Sequence, residues 1–272
     1  MSVIHALEIR STGKGNLGVR NLVEERWLRR FRDDVGCRTK LVCFPHAGGG
    51  ASAYRTWAER LPADVGVLAV RYPGREDRLG DPFSPRLEVL ADDIAEALEG
   101  LTQHPLVLFG HSMGASVAHE VALRFQERGR PPVALCVSGR RPPHGLGGQR
   151  EPLDTDEEII ADVVGFDESR AEVFADPGLR ELLLPAVRAD YRLVDEYLGG
   201  RKPLLGCPVF GYTGDDDPEV TSEQMQGWAD MTRDDFRLRV LPGGHFYLRE
   251  EEAALLADMR GVLARFGRRT SS

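Results

Sequence analysis

The chain has 272 residues, of which 42% are hydrophobic and 29% charged, with a formal net charge of −8. That length suits one large α/β domain or two small ones, and the negative balance disfavours nonspecific binding to nucleic acid. Its four cysteines (Cys37, Cys43, Cys136, Cys207) form no C-x-x-C pair, which argues against a zinc site or a disulfide framework and fits a reducing, cytoplasmic setting.

Residues 1–20 carry Gly, Ser and Asn and few apolar residues, and residues 1–24 are expected to form a loose tail. No basic region followed by an apolar stretch is visible, so no signal peptide is expected. No apolar run approaches the roughly 20 residues that a membrane span needs. A single domain is expected over 25–268. Short runs rich in Val, Leu and Phe, bounded by Gly or Pro, predict strands at 41–45, 65–72, 105–110, 133–139, 208–214 and 236–243. Helical patterns lie between most of them, at 51–61, 85–100, 113–129, 221–231 and 250–266. The alternation predicts an α/β fold with a mostly parallel central sheet flanked by helices.

One interval breaks the rhythm. About seventy residues separate the strand ending near Gly139 from the one starting at Pro208, and they contain helical stretches at 155–164, 168–175 and 178–198 but no convincing strand. Thr155 with Glu158 makes a capping-box start, and Pro185 is expected to kink or break the last stretch. Following a strand, this insertion of about 141–205 leaves from the sheet's carboxyl edge, where ligands bind in α/β folds, and reads as a helical lid. Leu182, Leu183, Leu184, Val187, Tyr191 and Val194 are candidate chamber residues on it.

The stretch FGHSMGAS, residues 109–116, holds Gly110, Ser112 and Gly114 in a G-x-S-x-G pattern between a predicted strand and an amphipathic helix that Gly129 stops. A strand-to-helix turn is the context of a nucleophile elbow: glycines let neighbouring backbone approach while the serine hydroxyl stands clear. Serine at its free pKa is a weak nucleophile and needs a base. Behind such an elbow the partners follow in the order Ser, Asp, His, and of the seven histidines only His245, in LPGGHFYL, fits the last place. His111, adjacent to Ser112, is expected to have a packing or turn role. The acid falls in YTGDDDPEV, where Asp215, Asp216 and Asp217 are all candidates. An oxyanion hole needs the N–H of the residue after the nucleophile, Met113, and a second donor from the loop after the first strand. In FPHAGGGAS that donor is assigned to Ala47.

The segments CFPHAGGGASAYRTWAERLP, RYPGREDRL, LFGHSMGASVAHEVA, TGDDDPEV and LPGGHFYL, in that order, resemble the type II thioesterases that accompany modular polyketide synthases and nonribosomal peptide synthetases. The resemblance runs from about residue 25 to 266. It implies an α/β-hydrolase fold with a helical lid, a triad of Ser112, Asp217 and His245, and oxyanion donors at Ala47 and Met113. It also implies a substrate class: acyl groups held as thioesters on the phosphopantetheine arm of acyl or peptidyl carrier domains, removed when aberrant or stalled. Its preference for Asp217 rests on a G-x-x-D-P context spanning Gly214 to Pro218, with Asp216 as runner-up. Because such carriers are generally acidic, a basic rim is expected, with Arg71, Arg75, Arg78, Arg140 and Arg141 as candidates and Arg75 and Arg141 foremost. No cofactor or metal is expected, the partner is a carrier domain rather than nucleic acid or membrane, and a monomer is expected. The alternatives are a general carboxylesterase, a product-releasing thioesterase, and a non-catalytic carrier-binding module.

Overall fold

The computed structural model describes residues 23–32, 36–146, 153 and 155–267. The first 22 residues of the expected tail lie outside them. Val23 packs against the core and Glu24 is buried beside Arg30, so the last two tail positions belong to the packed body.

Six strands run parallel: β2 (Thr39–Phe44), β3 (Val65–Val70), β4 (Leu106–His111), β5 (Ala134–Ser138), β6 (Val209–Gly214) and β7 (Phe236–Leu241). A seventh, β1 (Leu28–Arg30), pairs antiparallel with β3 at one edge, and the sheet order is β1-β3-β2-β4-β5-β6-β7. β1 escaped the sequence reading because LRR is three residues long with two arginines, a short charged edge strand with no apolar run to betray it.

Alternate residues face opposite layers. Val42, Phe44, Leu108 and Val137 face one side, where α2 (Leu87–Ala97) and α3 (Met113–Glu127) pack. Leu41, Cys43, Val107 and Phe109 face the other, against Trp57 of α1 (Arg55–Arg60) and Leu255, Met259 and Val262 of α9 (Glu252–Phe266). Both faces of the central strands are covered, so β3, β4 and β5 are almost wholly apolar and buried, whereas the edge strand β7 (FRLRVL) alternates and is only partly buried. Val117, Val121 and Phe125, the expected inner stripe of α3, are all within 1% of fully buried.

Between β5 and β6 lie α4 (Asp156–Phe166), α5 (Arg170–Ala175) and α6 (Pro177–Glu196). Thr155 caps α4 in a capping box with Glu158. The lid helices share a small core of Ile159, Phe174, Leu184, Val187 and Tyr191. Of the expected kink or break at Pro185, the break does not occur: α6 continues to Glu196. Pro185 and Glu181, whose carbonyl the proline ring leaves without a partner, are both exposed, so water can satisfy that group.

Candidate active site

Parallel strands bring all their carboxyl ends to one edge of the sheet. The loops after β2, β4, β6 and β7 carry Ala47, Ser112, Asp217 and His245, and β4 is flanked by β2 and β5 in the sheet's middle. Four short parallel strands thus deliver to one edge residues that are far apart in the chain.

Ser112 ends β4 with φ 54° and ψ −123°, a region that costs a non-glycine residue on the order of 1–3 kcal/mol. The surroundings hold it there. Its N–H donates to the Ser138 carbonyl at 2.8 Å, and its own carbonyl accepts from Ala115 at 2.9 Å. The flanking glycines are required by close approach: a Cβ on Gly110 would lie 2.1 Å from the Gly114 carbonyl oxygen, and one on Gly114 would lie 2.1 Å from the Phe44 carbonyl oxygen. The second contact also sets the end of β2 against the start of α3, which brings the segment bearing Ala47 beside Met113. Two buried tyrosines hold that segment, Tyr54 donating to the Phe44 carbonyl at 3.0 Å and Tyr72 to the Pro45 carbonyl at 3.2 Å. Neither tyrosine was legible as a site residue in the sequence.

Contacts separate the three acids. Asp217 is buried, and its oxygens lie 2.9 and 3.1 Å from His245 Nδ1. It also accepts the Glu219 N–H at 2.9 Å. Both contacts engage Nδ1, so Nε2 is the ring nitrogen left for another partner. Asp215 and Asp216 are exposed and have a different task. Asp215 accepts from the Gly243 N–H at 2.8 Å, and the Asp216 N–H donates to the Gly243 carbonyl at 3.0 Å. These bonds stitch the loop after β6 to the loop after β7, and so set Asp217 beside His245.

His111 lies below the site, its ring centroid 4.9 Å from that of His245. Its Nδ1 pairs with Ser138 Oγ at 2.9 Å, and Ser138 Oγ lies 2.7 Å from the Tyr247 hydroxyl. Burial, then the neighbouring His245, holds the His111 pKa well below its ordinary value, which fits the expected packing role. His46 stands against Phe246 at 4.8 Å between centroids. Burial, with Arg249 next, lowers its pKa to about 3, leaving a neutral ring at pH 7.

Ser112, His46, Ala47 and His245 line a cavity of about 340 Å³. Leu183, Val187 and Tyr191 line it from the lid side, and Arg140 and Arg141 form part of its wall. The Tyr191 hydroxyl donates to Asp162 at 2.7 Å. Val194 also reaches the cavity, but Leu182 points to solvent, 47% exposed, and Leu184 sits in the lid's own core. Helical periodicity separates these neighbours, since residues one apart on a helix face different ways. Asp167, in the turn after α4, pairs with Arg249 at 2.5 Å and ties this part of the lid to α8 (Tyr247–Glu250).

The expected basic rim needs correction. Arg75 is only 7% exposed and cannot greet a partner's surface; its guanidinium is paired with Asp190 of α6. Arg71 pairs with Asp77, and Arg78 pairs with Asp81 while lying 4.0 Å over the Trp27 ring. Arg141 is half-buried and donates to the Glu219 carbonyl at 2.9 Å. Charge crowding in RYPGREDR was legible in sequence, and Asp77 and Asp81 lie close by, but the acid that takes up Arg75 was not. Among the described residues, no group of three His, Cys, Asp or Glu side chains is placed to hold a metal ion. Among the same residues, no helix is long and apolar enough to cross a membrane.

A parallel sheet with a strained serine at a strand-to-helix turn, an Asp–His pair beside it and a helical insertion above defines an α/β-hydrolase fold with a serine-hydrolase arrangement. The thioesterase domain family model matches residues 39–261, and the chain belongs to that family, hydrolases acting on thioesters. It is 40% identical over 238 residues to a probable cadicidin biosynthesis thioesterase of Streptomyces griseus, covering 88% of this chain and 66% of that protein, just under two thirds of its length. It is 39% identical over 237 residues to Thioesterase PikA5 of Streptomyces venezuelae, covering 86% of this chain and 84% of that one. Among solved structures, the type II thioesterase BorB from the borrelidin biosynthetic cluster superposes with a TM-score of 0.80 at 39% identity, covering 89% of this chain and 98% of that one.

Proposed function

We propose that this protein is a discrete type II thioesterase that hydrolyses aberrant or stalled acyl groups from the phosphopantetheine thiol of carrier domains in polyketide or nonribosomal peptide synthesis. The observation that carries the reading is the shared cavity: Ser112, His245 and the lid residues Leu183, Val187 and Tyr191 line one chamber. A roofed chamber beside a nucleophile suits an acyl group delivered on a long arm. In the proposed cycle His245 Nε2 takes the Ser112 hydroxyl proton as Oγ attacks the thioester carbonyl. Oxyanion charge collects on the carbonyl oxygen, facing the N–H groups of Ala47 and Met113. The C–S bond breaks, and the thiolate leaves with the proton from His245. A thiol pKa near 8.5 makes this departure easy, so the demanding parts are the nucleophile and the oxyanion. Water then attacks the acyl-serine, His245 takes its proton and returns it to Ser112 Oγ, and a carboxylic acid is released. Asp217 keeps the imidazole in the productive tautomer and stabilises its cation. The insertion of about 141–205 serves as the substrate cover. Arg141, in the cavity wall, remains a docking candidate; Arg75 does not.

Mass spectrometry of a propionyl-loaded carrier protein tests this, with propionyl-CoA and a nitrophenyl ester alongside. The expected result is that the wild type frees the carrier thiol faster than it cleaves the small esters, and that Ser112→Ala does neither. Efficient cleavage of the small esters with the loaded carrier intact would make the protein a general esterase.

A further inference from the structure

We propose that Asp190 is a positioning residue for the oxyanion hole, pinning the 46–50 loop to the lid through the Gly48 N–H. This rests on the reading of Ala47 as an oxyanion donor. Asp190 lies on α6 and is 2% exposed. Its Oδ2 accepts the Gly48 N–H at 2.7 Å and Arg75 Nη1 at 2.5 Å, while Oδ1 accepts Arg75 Nη2 at 2.7 Å. Arg75 also donates from Nη1 to the Gly49 carbonyl at 3.2 Å, and from Nε and Nη2 to the Pro73 carbonyl, each at 3.3 Å. All five guanidinium N–H groups are thereby used. A fork so committed is a fastener between three segments of chain, not a docking charge.

Peptide planarity carries the effect to Ala47. The Ala47 N–H and the His46 carbonyl share one plane, and the His46 carbonyl is fixed by the Gly49 N–H at 2.9 Å. The next plane, between Ala47 and Gly48, is fixed by Asp190. With both planes held, the Ala47 N–H has one direction. Gly48 sits at φ +72°, and a Cβ there would lie 3.0 Å from Val187 Cγ2, one turn before Asp190 on the same helix. The loop therefore needs both its glycine and a seated α6. It follows that α6 is a fixed wall, and the hole is assembled only while that helix is docked.

The test separates positioning from mere stability. Replacing a buried ion pair by apolar residues of similar volume is often neutral or better for stability. The paired variants are Arg75→Met/Asp190→Leu, which removes the acceptor for the Gly48 N–H, and Arg75→Met/Asp190→Asn, which keeps one. Both are assayed with nitrophenyl propionate, beside Ser112→Ala, with Tm measured for each. The expected result is comparable Tm, with kcat at least tenfold lower for the Leu double than for the Asn double and KM changed less than twofold between them. Equal kcat in the two doubles overturns the proposal. Should the Leu double fail to fold, the single variants Asp190→Leu and Asp190→Asn are compared at a temperature where circular dichroism shows both folded, with the same tenfold criterion. A Ser112→Ala protein at wild-type rate would overturn the nucleophile reading itself, whereas an inactive Ser112→Ala with equal doubles overturns only the role of Asp190.

Discussion

Lowering the pH from 7 to 5 should cost this protein about 2 kcal/mol of folding stability through His119, with a further loss of the same sign through His111. Both side chains are fully buried. His111 Nε2 and both ring nitrogens of His119 have no hydrogen-bond partner. Burial is the largest cause of the lowered pKa in each case, and it takes His119 from 6.5 to about 4. In the unfolded chain both rings titrate near 6.5, so below that pH the unfolded state binds more protons than the folded one. Stability is fully present above 6.5 and falls with pH at about 1.4 kcal/mol per unit for each ring. For His119 the slope ends near pH 4, where the folded ring also protonates. Glu120 acts with the same sign in a lower window, from 4.5 to about 2: hydrogen bonds from Tyr197, Lys202 and Arg124 outweigh the burial that would raise its pKa. Urea unfolding followed by tryptophan fluorescence at pH 7, 6 and 5 measures the loss, and a His119→Gln variant should show a pH dependence about 2 kcal/mol shallower over that span. Equal stability at pH 7 and pH 5, or an unchanged dependence in the variant, would refute the reasoning.

Asp217→Asn should leave the protein folded, as judged by circular dichroism, and lower kcat by about 10⁴, the scale seen when a triad aspartate is made an amide. Asp215→Asn and Asp216→Asn, tested in the same ester assay, should stay within roughly tenfold of wild type, since each touches His245 only through the loop stitching. Glu120→Ala leaves Arg124 and Lys202 without their buried carboxylate and should cost about 3–5 kcal/mol by denaturant titration. Gly114→Ala forces a Cβ onto the Phe44 carbonyl; the expected outcome is loss of esterase activity, with soluble yield and Tm reporting whether the fold goes with it.

Much of the architecture was legible from local pattern. Apolar runs such as LVCF and PLVLF, alternating with helical patterns, fit strands of a covered parallel sheet. G-x-S-x-G between a strand and a helix leaves few other places for a serine, and the order of the chain singled out His245. These signals are local, so a one-dimensional reading finds them. DDD in the loop after β6 is where such reading stops: three identical side chains differ only in which way the turn aims them, and that direction is set by bonds to Gly243 across the neighbouring loop. Pro185 did not break its helix because a helix tolerates proline where the freed carbonyl meets water, and exposure is a tertiary property. Arg75 did mislead. Its nearest acids in sequence suggest a solvated loop, but its partner lies 115 residues away on the lid. A charged side chain's function depends on what desolvates and pairs it, and only the folded chain brings Asp190, Gly48 and Arg75 together. The family was therefore written in short motifs, while the burial and pairing that hold the 46–50 loop against α6 came from contacts between segments far apart in the chain.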